Sequence, residues 1–135
     1  MKRKILLIED DLFIRELYKQ VLFETGYDIL CAIDGEEGLK FASSKPDLIL
    51  LDIMLPKLNG IDVLKKLKAN RETMEIPVVL LTNLAQESII KEAFEIGASG
   101  YLMKMKIEPY EIQNYINKFL DNPKFKMDIK MLTFD

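Results

Sequence analysis

Short apolar runs that end on polar residues are the feature of this chain that most restricts its fold. Four such runs are followed directly by an acid, a hydroxyl or an ammonium: residues 5–8 by Glu9 and Asp10, residues 48–51 by Asp52, residues 78–81 by Thr82, and residues 101–103 by Lys104. A run that is apolar at every position is typical of a strand covered on both faces, whereas a strand with one wet face would alternate. The pattern therefore predicts buried, parallel strands.

Amphipathic segments separate these runs. Apolar residues recur at helical spacing in five stretches, which are residues 12–24, the segment opened by Asp34-Gly35 and closed by Pro46, and residues 61–69, 85–96 and 109–120. With residues 27–30 as a second strand, strands and helices alternate along the chain. Such alternation gives a parallel five-stranded sheet with right-handed crossovers, so we expect an α/β fold, a doubly wound three-layer (βα)5 sandwich.

Composition narrows the classes of function. A length of 135 residues suits one domain, and the net charge of -3 without a basic block argues against direct binding to nucleic acid. The apolar runs are too short to span a membrane. The single cysteine, Cys31, excludes an internal disulfide framework and favours a cytoplasmic location, and the absence of histidine excludes a typical zinc site. A bound metal should therefore be a hard cation held by oxygen ligands.

Parallel strands bring the polar run ends together, because ligand sites in doubly wound folds lie beyond the carboxyl ends of the strands. Clustered carboxylates are costly without a cation, and Mg²⁺ prefers octahedral oxygen ligands while keeping several waters. We expect Asp10 and Asp52 as direct Mg²⁺ ligands, Glu9 acting through water, and the backbone carbonyl of Met54 completing the set. Mn²⁺ or Ca²⁺ are possible substitutes.

The same cluster suits phosphoryl transfer. One oxygen of Asp52 is free to attack a phosphoryl group and form an aspartyl-phosphate. The Lys104 ammonium would offset charge on the phosphoryl oxygens, and the Thr82 hydroxyl would donate a hydrogen bond to one of them. Each residue also has a purely structural interpretation: Asp11, which follows the acidic pair, is expected to cap the first helix, Asp52 could begin a turn, and Lys104 could be a solvated charge.

Over residues 4 to about 120, the chain resembles the receiver domains of two-component response regulators, which are CheY-like proteins. The motifs that carry the resemblance agree in order and spacing: residues 5–11, 46–56, 59–60, 77–82 and 97–104. The resemblance implies the strand order 2-1-3-4-5, which CheY-like and flavodoxin-like folds share.

The resemblance also implies a function. Asp52 would be the phosphoacceptor of a phosphorelay, with a sensor histidine kinase or phosphotransfer protein as donor. Thr82 and Tyr101 resemble the family's switch pair, in which the hydroxyl moves toward the phosphoryl group and the ring turns inward. A downstream effector would bind the face built from the last two helices and strand five. We expect a signalling switch, a monomer or weak dimer, that is not an enzyme but assists its own phosphorylation and dephosphorylation.

Three positions depart from the family pattern. Met105 follows Lys104 where many receivers have a cis proline, so we expect a trans peptide and a more mobile loop. Asn83 follows Thr82 where a small residue is usual. Ser99-Gly100 stands where winged-helix regulators carry acidic residues for pairing, which argues against their common dimer.

Other functions stay open at this point. An aspartyl-nucleophile phosphohydrolase needs a second acid two residues after the nucleophile, where this chain has Met54. A flavin-binding electron carrier would have Ser, Thr and Gly after the first strand to hold a phosphate, whereas Glu9, Asp10 and Asp11 would repel one. An interaction module that works without phosphorylation would have no use for the acid cluster.

The end of the chain follows a different pattern. We expect the receiver domain to cover residues 1–121 and a C-terminal tail to cover residues 122–135. Charged and apolar residues alternate strictly over residues 124–131. This period of two fits an extra edge strand or an arm that pairs with another chain, and the plainer interpretation is a mobile tail or linker.

Overall fold

The computed structural model describes residues 2–132, which form five strands and five α-helices. The strands are β1 (Lys4–Ile8), β2 (Asp28–Ala32), β3 (Leu48–Leu51), β4 (Val78–Thr82) and β5 (Gly100–Met103). The helices are α1 (Leu12–Glu24), α2 (Gly35–Ala42), α3 (Gly60–Ala69), α4 (Glu87–Ile96) and α5 (Ile112–Asp121). The last helix begins later than predicted, because Pro109–Glu111 form a 3₁₀ turn before it.

All five strands are parallel, in the order β2-β1-β3-β4-β5. The predicted fold class and strand order are therefore confirmed. Apolar side chains from α2, α3 and α4 pack on one face of the sheet, and those from α1 and α5 pack on the other. Because both faces are covered, β3 and β4 are buried at every position, as their uninterrupted apolar sequences predicted.

Short polar side chains fix where three helices begin. Asp11 accepts a hydrogen bond from the Ile14 amide at 2.9 Å, which confirms its predicted role as a cap. Asp34 and Asn59 cap α2 and α3 in the same way. The longest described helix has 13 residues, and none of the described helices is both long and apolar enough to cross a membrane.

The start of α3 lies against the loop that follows β3. A Cβ atom on Gly60 would come within 2.4 Å of the Asp52 carbonyl oxygen, so only glycine permits this approach. The Gly60 amide donates to the Ile53 carbonyl at 2.8 Å. The first turn of α3 thus holds the backbone on which the Asp52 carboxylate stands.

Residues 122–132 contain a 3₁₀ turn, Ile129–Met131, and no β-strand. This part of the tail lies against the domain, where the Met127 amide donates to the Ser99 carbonyl at 2.8 Å and the Phe125 ring lies 5.2 Å from that of Phe119. An edge strand would form a regular ladder of backbone hydrogen bonds with β5, whereas this part of the tail makes one backbone hydrogen bond there, between Met127 and Ser99. The division of the chain at residue 121 stays a prediction, and residues 133–135 of the predicted tail lie outside the described residues.

Candidate functional site

Two buried carboxylates meet at the carboxyl edge of the sheet. Ile8 and Leu51 are paired in neighbouring strands, so the residues that follow them, Glu9 and Asp52, are side by side. Glu9 is 1% exposed and Asp52 is 5% exposed. Asp10 is exposed, and carboxylate oxygens of all three residues lie within 4.8 Å of one another. The fold therefore assembles the predicted acid cluster.

The Lys104 ammonium lies between the two buried carboxylates. Its Nζ atom is 2.5 Å from Glu9 Oε1 and 2.8 Å from Asp52 Oδ2. Burial alone would lower the pKa of Lys104, but its hydrogen bonds with Asp52 and Glu9 outweigh burial and raise that pKa. Burial raises the pKa of Glu9, and its contact with Lys104 offsets only part of this effect. Lys104 is therefore a largely buried counter-ion, with 10% of its side chain exposed, and not a solvated charge.

Two contacts that the sequence did not predict hold the acidic loop after β1. The Asp11 amide donates to Glu9 Oε2 at 3.1 Å, so both oxygens of the Glu9 carboxylate have protein partners. The Arg15 guanidinium donates to the carbonyls of Glu9 and Asp10 at 3.0 and 3.2 Å. The position of Arg15 in the first turns of α1 is the only sequence signal that could have indicated its contact with this loop.

The predicted switch residues are connected through one loop residue. The Thr82 hydroxyl oxygen is buried and accepts a hydrogen bond from the Leu84 amide at 3.2 Å. The Tyr101 hydroxyl donates to the Leu84 carbonyl at 2.8 Å, and the Tyr101 side chain is buried. Burial raises the pKa of Tyr101, so its hydroxyl stays protonated at neutral pH. Thr82 and Tyr101 thus share a partner but lie on different strands.

Asn83 and Met105, which both depart from the family pattern, are hydrogen-bonded to each other. Met105 has the backbone N–H that a proline would lack, and this group donates to Asn83 Oδ1 at 2.9 Å. No peptide bond among the described residues is cis, as Met105 led us to expect. The bond joins the residues that directly follow Thr82 and Lys104, and greater mobility of the Lys104 loop stays a prediction.

A family model described as the response regulator receiver domain matches residues 5–117. The chain belongs to this family. Alkaline phosphatase synthesis transcriptional regulatory protein PhoP of Bacillus subtilis is 40% identical over 121 residues, which are 89% of this chain and 49% of that protein. The chain thus spans about half the length of the curated relatives it matches.

Solved receiver structures have the same fold. Chemotaxis protein CheY4 of Vibrio cholerae is 25% identical, with a TM-score of 0.81 over 87% of this chain and 98% of that chain. The receiver domain of sensor histidine kinase PA1611 from Pseudomonas aeruginosa is 24% identical, with a TM-score of 0.81 over 90% of this chain and 100% of that chain. That structure has a magnesium ion coordinated in its active site cleft.

The receiver domain fold thus brings Glu9, Asp10, Asp52 and Lys104 into one cluster. Beside this cluster, the two predicted switch residues, Thr82 and Tyr101, are connected through hydrogen bonds to Leu84. The side chain of Met54 is 61% exposed, and its amide donates to Asp52 Oδ1 at 3.1 Å.

Replacing Lys104 by methionine should destabilise the receiver domain in a pH-dependent way. The variant leaves two buried carboxylates without a counter-ion, and we expect the free energy of unfolding to fall by about 3 kcal/mol at neutral pH. Since the pKa of Glu9 is already raised, its ionised form costs stability as the pH rises, so the deficit relative to wild type should shrink as the pH falls through that pKa.

Urea denaturation between about pH 5 and about pH 8 measures this deficit. Lys66→Met, on the exposed side of α3, is the matched control and should stay within about 0.5 kcal/mol of wild type. A Lys104→Met deficit that is absent, or that does not change with pH, would contradict the assignment of Lys104 as a buried counter-ion.

The bond between Asn83 and Met105 should appear as a coupling energy. Asn83→Ala removes the acceptor and Met105→Pro removes the donor, so the two changes together should cost about 1 kcal/mol less than the sum of the single variants. A double-mutant cycle of unfolding free energies measures this coupling. Met105→Ala keeps the N–H group and should show no coupling with Asn83→Ala. Additive effects of Asn83→Ala and Met105→Pro would reject the bond.

Proposed function

We propose that Asp52 is the phosphoacceptor of this receiver domain and that its phosphorylation controls a signalling switch. The observation that carries the proposal is the contact of the Asp52 carboxylate with the Lys104 ammonium at 2.8 Å, next to the acidic side chains of Glu9 and Asp10. This arrangement presents one carboxylate between a cation and further oxygen ligands, as phosphoryl transfer requires.

The donor set fits Mg²⁺. Three carboxylates converge, and the Met54 carbonyl accepts no backbone hydrogen bond from the described residues. Asp10, Asp52 and the Met54 carbonyl would hold the ion directly. Glu9 would act through water, because Mg²⁺ keeps several of its waters when it is bound by few carboxylates. When bound, the ion would offset negative charge on the transferring phosphoryl group, and Mn²⁺ or Ca²⁺ would be substitutes.

In the transfer step, an oxygen of the Asp52 carboxylate forms a bond to phosphorus while the bond between phosphorus and the donor's leaving group breaks. With a phosphohistidine donor, the leaving imidazole nitrogen takes the electron pair of that bond. Lys104 would move its contact from the carboxylate to a phosphoryl oxygen and so stabilise the developing charge. The protein would thus promote its own modification without turning over a separate substrate. In dephosphorylation, a water oxygen would form a bond to phosphorus while the bond between phosphorus and the Asp52 oxygen breaks, which releases inorganic phosphate and restores the carboxylate.

The switch would operate through Thr82 and Tyr101. A hydrogen bond from the Thr82 hydroxyl to a phosphoryl oxygen would draw this side chain away from the Leu84 amide, which is its present partner at 3.2 Å. Leu84 also provides the acceptor for Tyr101, so the change would reach the ring. A partner that binds one arrangement better than the other would read the phosphorylation state.

The partners follow from the family. We infer a sensor histidine kinase or phosphotransfer protein as donor and an effector that binds the face of α4, β5 and α5. Relatives such as PhoP are transcriptional regulators, but the chain matches only 49% of that protein, so control of transcription through a further segment or a partner is part of the proposal. We also propose that the protein is cytoplasmic and that it is a monomer or a weak dimer.

The structure gives no support to the alternative of a phosphohydrolase. Such an enzyme needs an acid/base group beside the leaving oxygen, and the position two residues after Asp52 has the apolar, exposed side chain of Met54. An interaction module without phosphorylation would keep Glu9 and Asp52 buried for no purpose.

Incubation with Mg²⁺ and a small phosphoramidate or acyl phosphate should add one phosphoryl group to the protein. Asp52→Asn should abolish the adduct, because its amide is a far weaker nucleophile, and chelation of the metal should abolish it in the unchanged protein. Intact mass spectrometry measures both results.

Asp28→Asn, an exposed acid at the start of β2, is the matched control and should be phosphorylated as well as wild type. An adduct that survives Asp52→Asn, or no adduct in the unchanged protein, would reject Asp52 as the phosphoacceptor.

A further inference from the structure

The C-terminal tail lies directly on β5, which is an edge strand of the sheet. The Met127 amide donates to the Ser99 carbonyl at 2.8 Å, and the Tyr101 amide donates to Met127 Sδ at 3.4 Å. A Cβ atom on Gly100 would lie only 2.9 Å from Met127 Sδ. The absence of a side chain at Gly100 is therefore what allows Met127 to reach the strand.

The tail passes around this edge from one face of the sheet to the other. Phe125 and Met127 pack against the core on the face that α1 and α5 cover. Ile129 and Leu132 pack against the core on the opposite face, which includes α4 and Tyr101. Residues 123–132, here called the strap, thus occupy the surface between α5 and α4. The alternation noted in the sequence matches this arrangement over residues 125–130, where Phe125, Met127 and Ile129 are partly buried and the charged residues that follow them are exposed, and it ends at the exposed Met131.

Hydrogen bonds connect the strap to the candidate phosphorylation site. Met127 Sδ is bonded to the Tyr101 amide, the Tyr101 hydroxyl to the Leu84 carbonyl, and the Leu84 amide to the Thr82 hydroxyl oxygen. When Thr82 turns toward a phosphoryl group, the Leu84 amide loses its acceptor. The loop that fixes Tyr101 is then free to shift, and Tyr101 is the residue beneath Met127.

One electrostatic repulsion opposes the docking of the strap. Lys124 and Lys126 line a cleft of about 390 Å³ together with Lys68 and the acidic Glu75. Burial lowers the pKa of Lys68 to about 8, and the charge of Lys126 contributes to that shift. Repulsion of this kind opposes the apolar contacts of Phe125 and Met127, whose side chains are only partly buried.

We propose that the strap covers the output surface of the unphosphorylated receiver domain and that phosphorylation of Asp52 loosens it, so that the effector competes with the protein's own tail. The inference rests on the proposed function, since it needs a phosphoryl group on Asp52. It adds a segment that regulates access to the surface of α4, β5 and α5. By linkage, an effector that displaces the strap also favours phosphorylation.

Amide hydrogen exchange of the full chain, with Mg²⁺ alone and with Mg²⁺ plus beryllofluoride, tests this proposal. Fluorine NMR reports separately whether the beryllofluoride adduct has formed. The adduct should speed exchange of the Met127 amide by about fivefold or more, which is the range of typical couplings between sites. The Gly26 amide, which donates to Phe23 at the far end of α1, should not change.

Three variants sharpen the result. Met127→Ala removes the contact with Tyr101 and should speed exchange at residue 127 without any adduct, whereas Met131→Ala, at a side chain that is 80% exposed, should behave as wild type. Asp52→Asn should show no effect of beryllofluoride.

An adduct that leaves Met127 exchange unchanged, or slows it, would overturn the release of the strap and leave the proposed function standing. Absence of an adduct would overturn both. Equal exchange at residue 127 in Met127→Ala and Met131→Ala would show that the strap is not held by its contact with β5, and would overturn the proposal as well.

Discussion

The burial of two carboxylates around one ammonium is the interaction on which the rest of this structure depends. Glu9 and Asp52 are almost fully removed from water, and Lys104 is their shared counter-ion. An isolated charge in such a place would be too costly to keep ionised, so the contacts must be made with good geometry. Parallel strands provide that geometry, because β1, β3 and β5 end at the same edge of the sheet. Lys104 crosses from the edge strand to the two central acids.

The same interaction supports the proposal that this site accepts a phosphoryl group. The cluster contains three carboxylates, those of Glu9, Asp10 and Asp52, and one ammonium, that of Lys104. A divalent ion would balance its excess negative charge. The ammonium is positioned before any donor arrives, so little rearrangement is needed as charge develops. The loops around the cluster are held by their own contacts: Arg15 on the backbone after β1, Gly60 against the Asp52 carbonyl, and Asn83 on the Met105 amide.

Much of this arrangement could be predicted from the sequence. Uninterrupted apolar runs indicated buried parallel strands, and the residue after each run indicated the site, because strand ends converge in this fold. Asp11 was recognisable as a helix cap from a local signal, which is its position directly before a segment of helical periodicity. Contacts of Arg15 and Asn83 were not predictable, because each depends on how two loops meet. The tail illustrates the same limit: its period of two was visible, but what it packs against is set by Gly100 and the end of the sheet.

Above all, we propose that Asp52 receives the phosphoryl group while Lys104 and Thr82 respond to it. A crystal structure of the protein with Mg²⁺ and beryllofluoride tests this claim most directly. We expect beryllium on an Asp52 oxygen, with Lys104 Nζ and the Thr82 hydroxyl each within about 3.2 Å of a fluoride, and the metal in contact with Asp10, Asp52 and the Met54 carbonyl. Beryllofluoride bound elsewhere, or an adduct on Asp52 with Thr82 still bonded to the Leu84 amide, would contradict it.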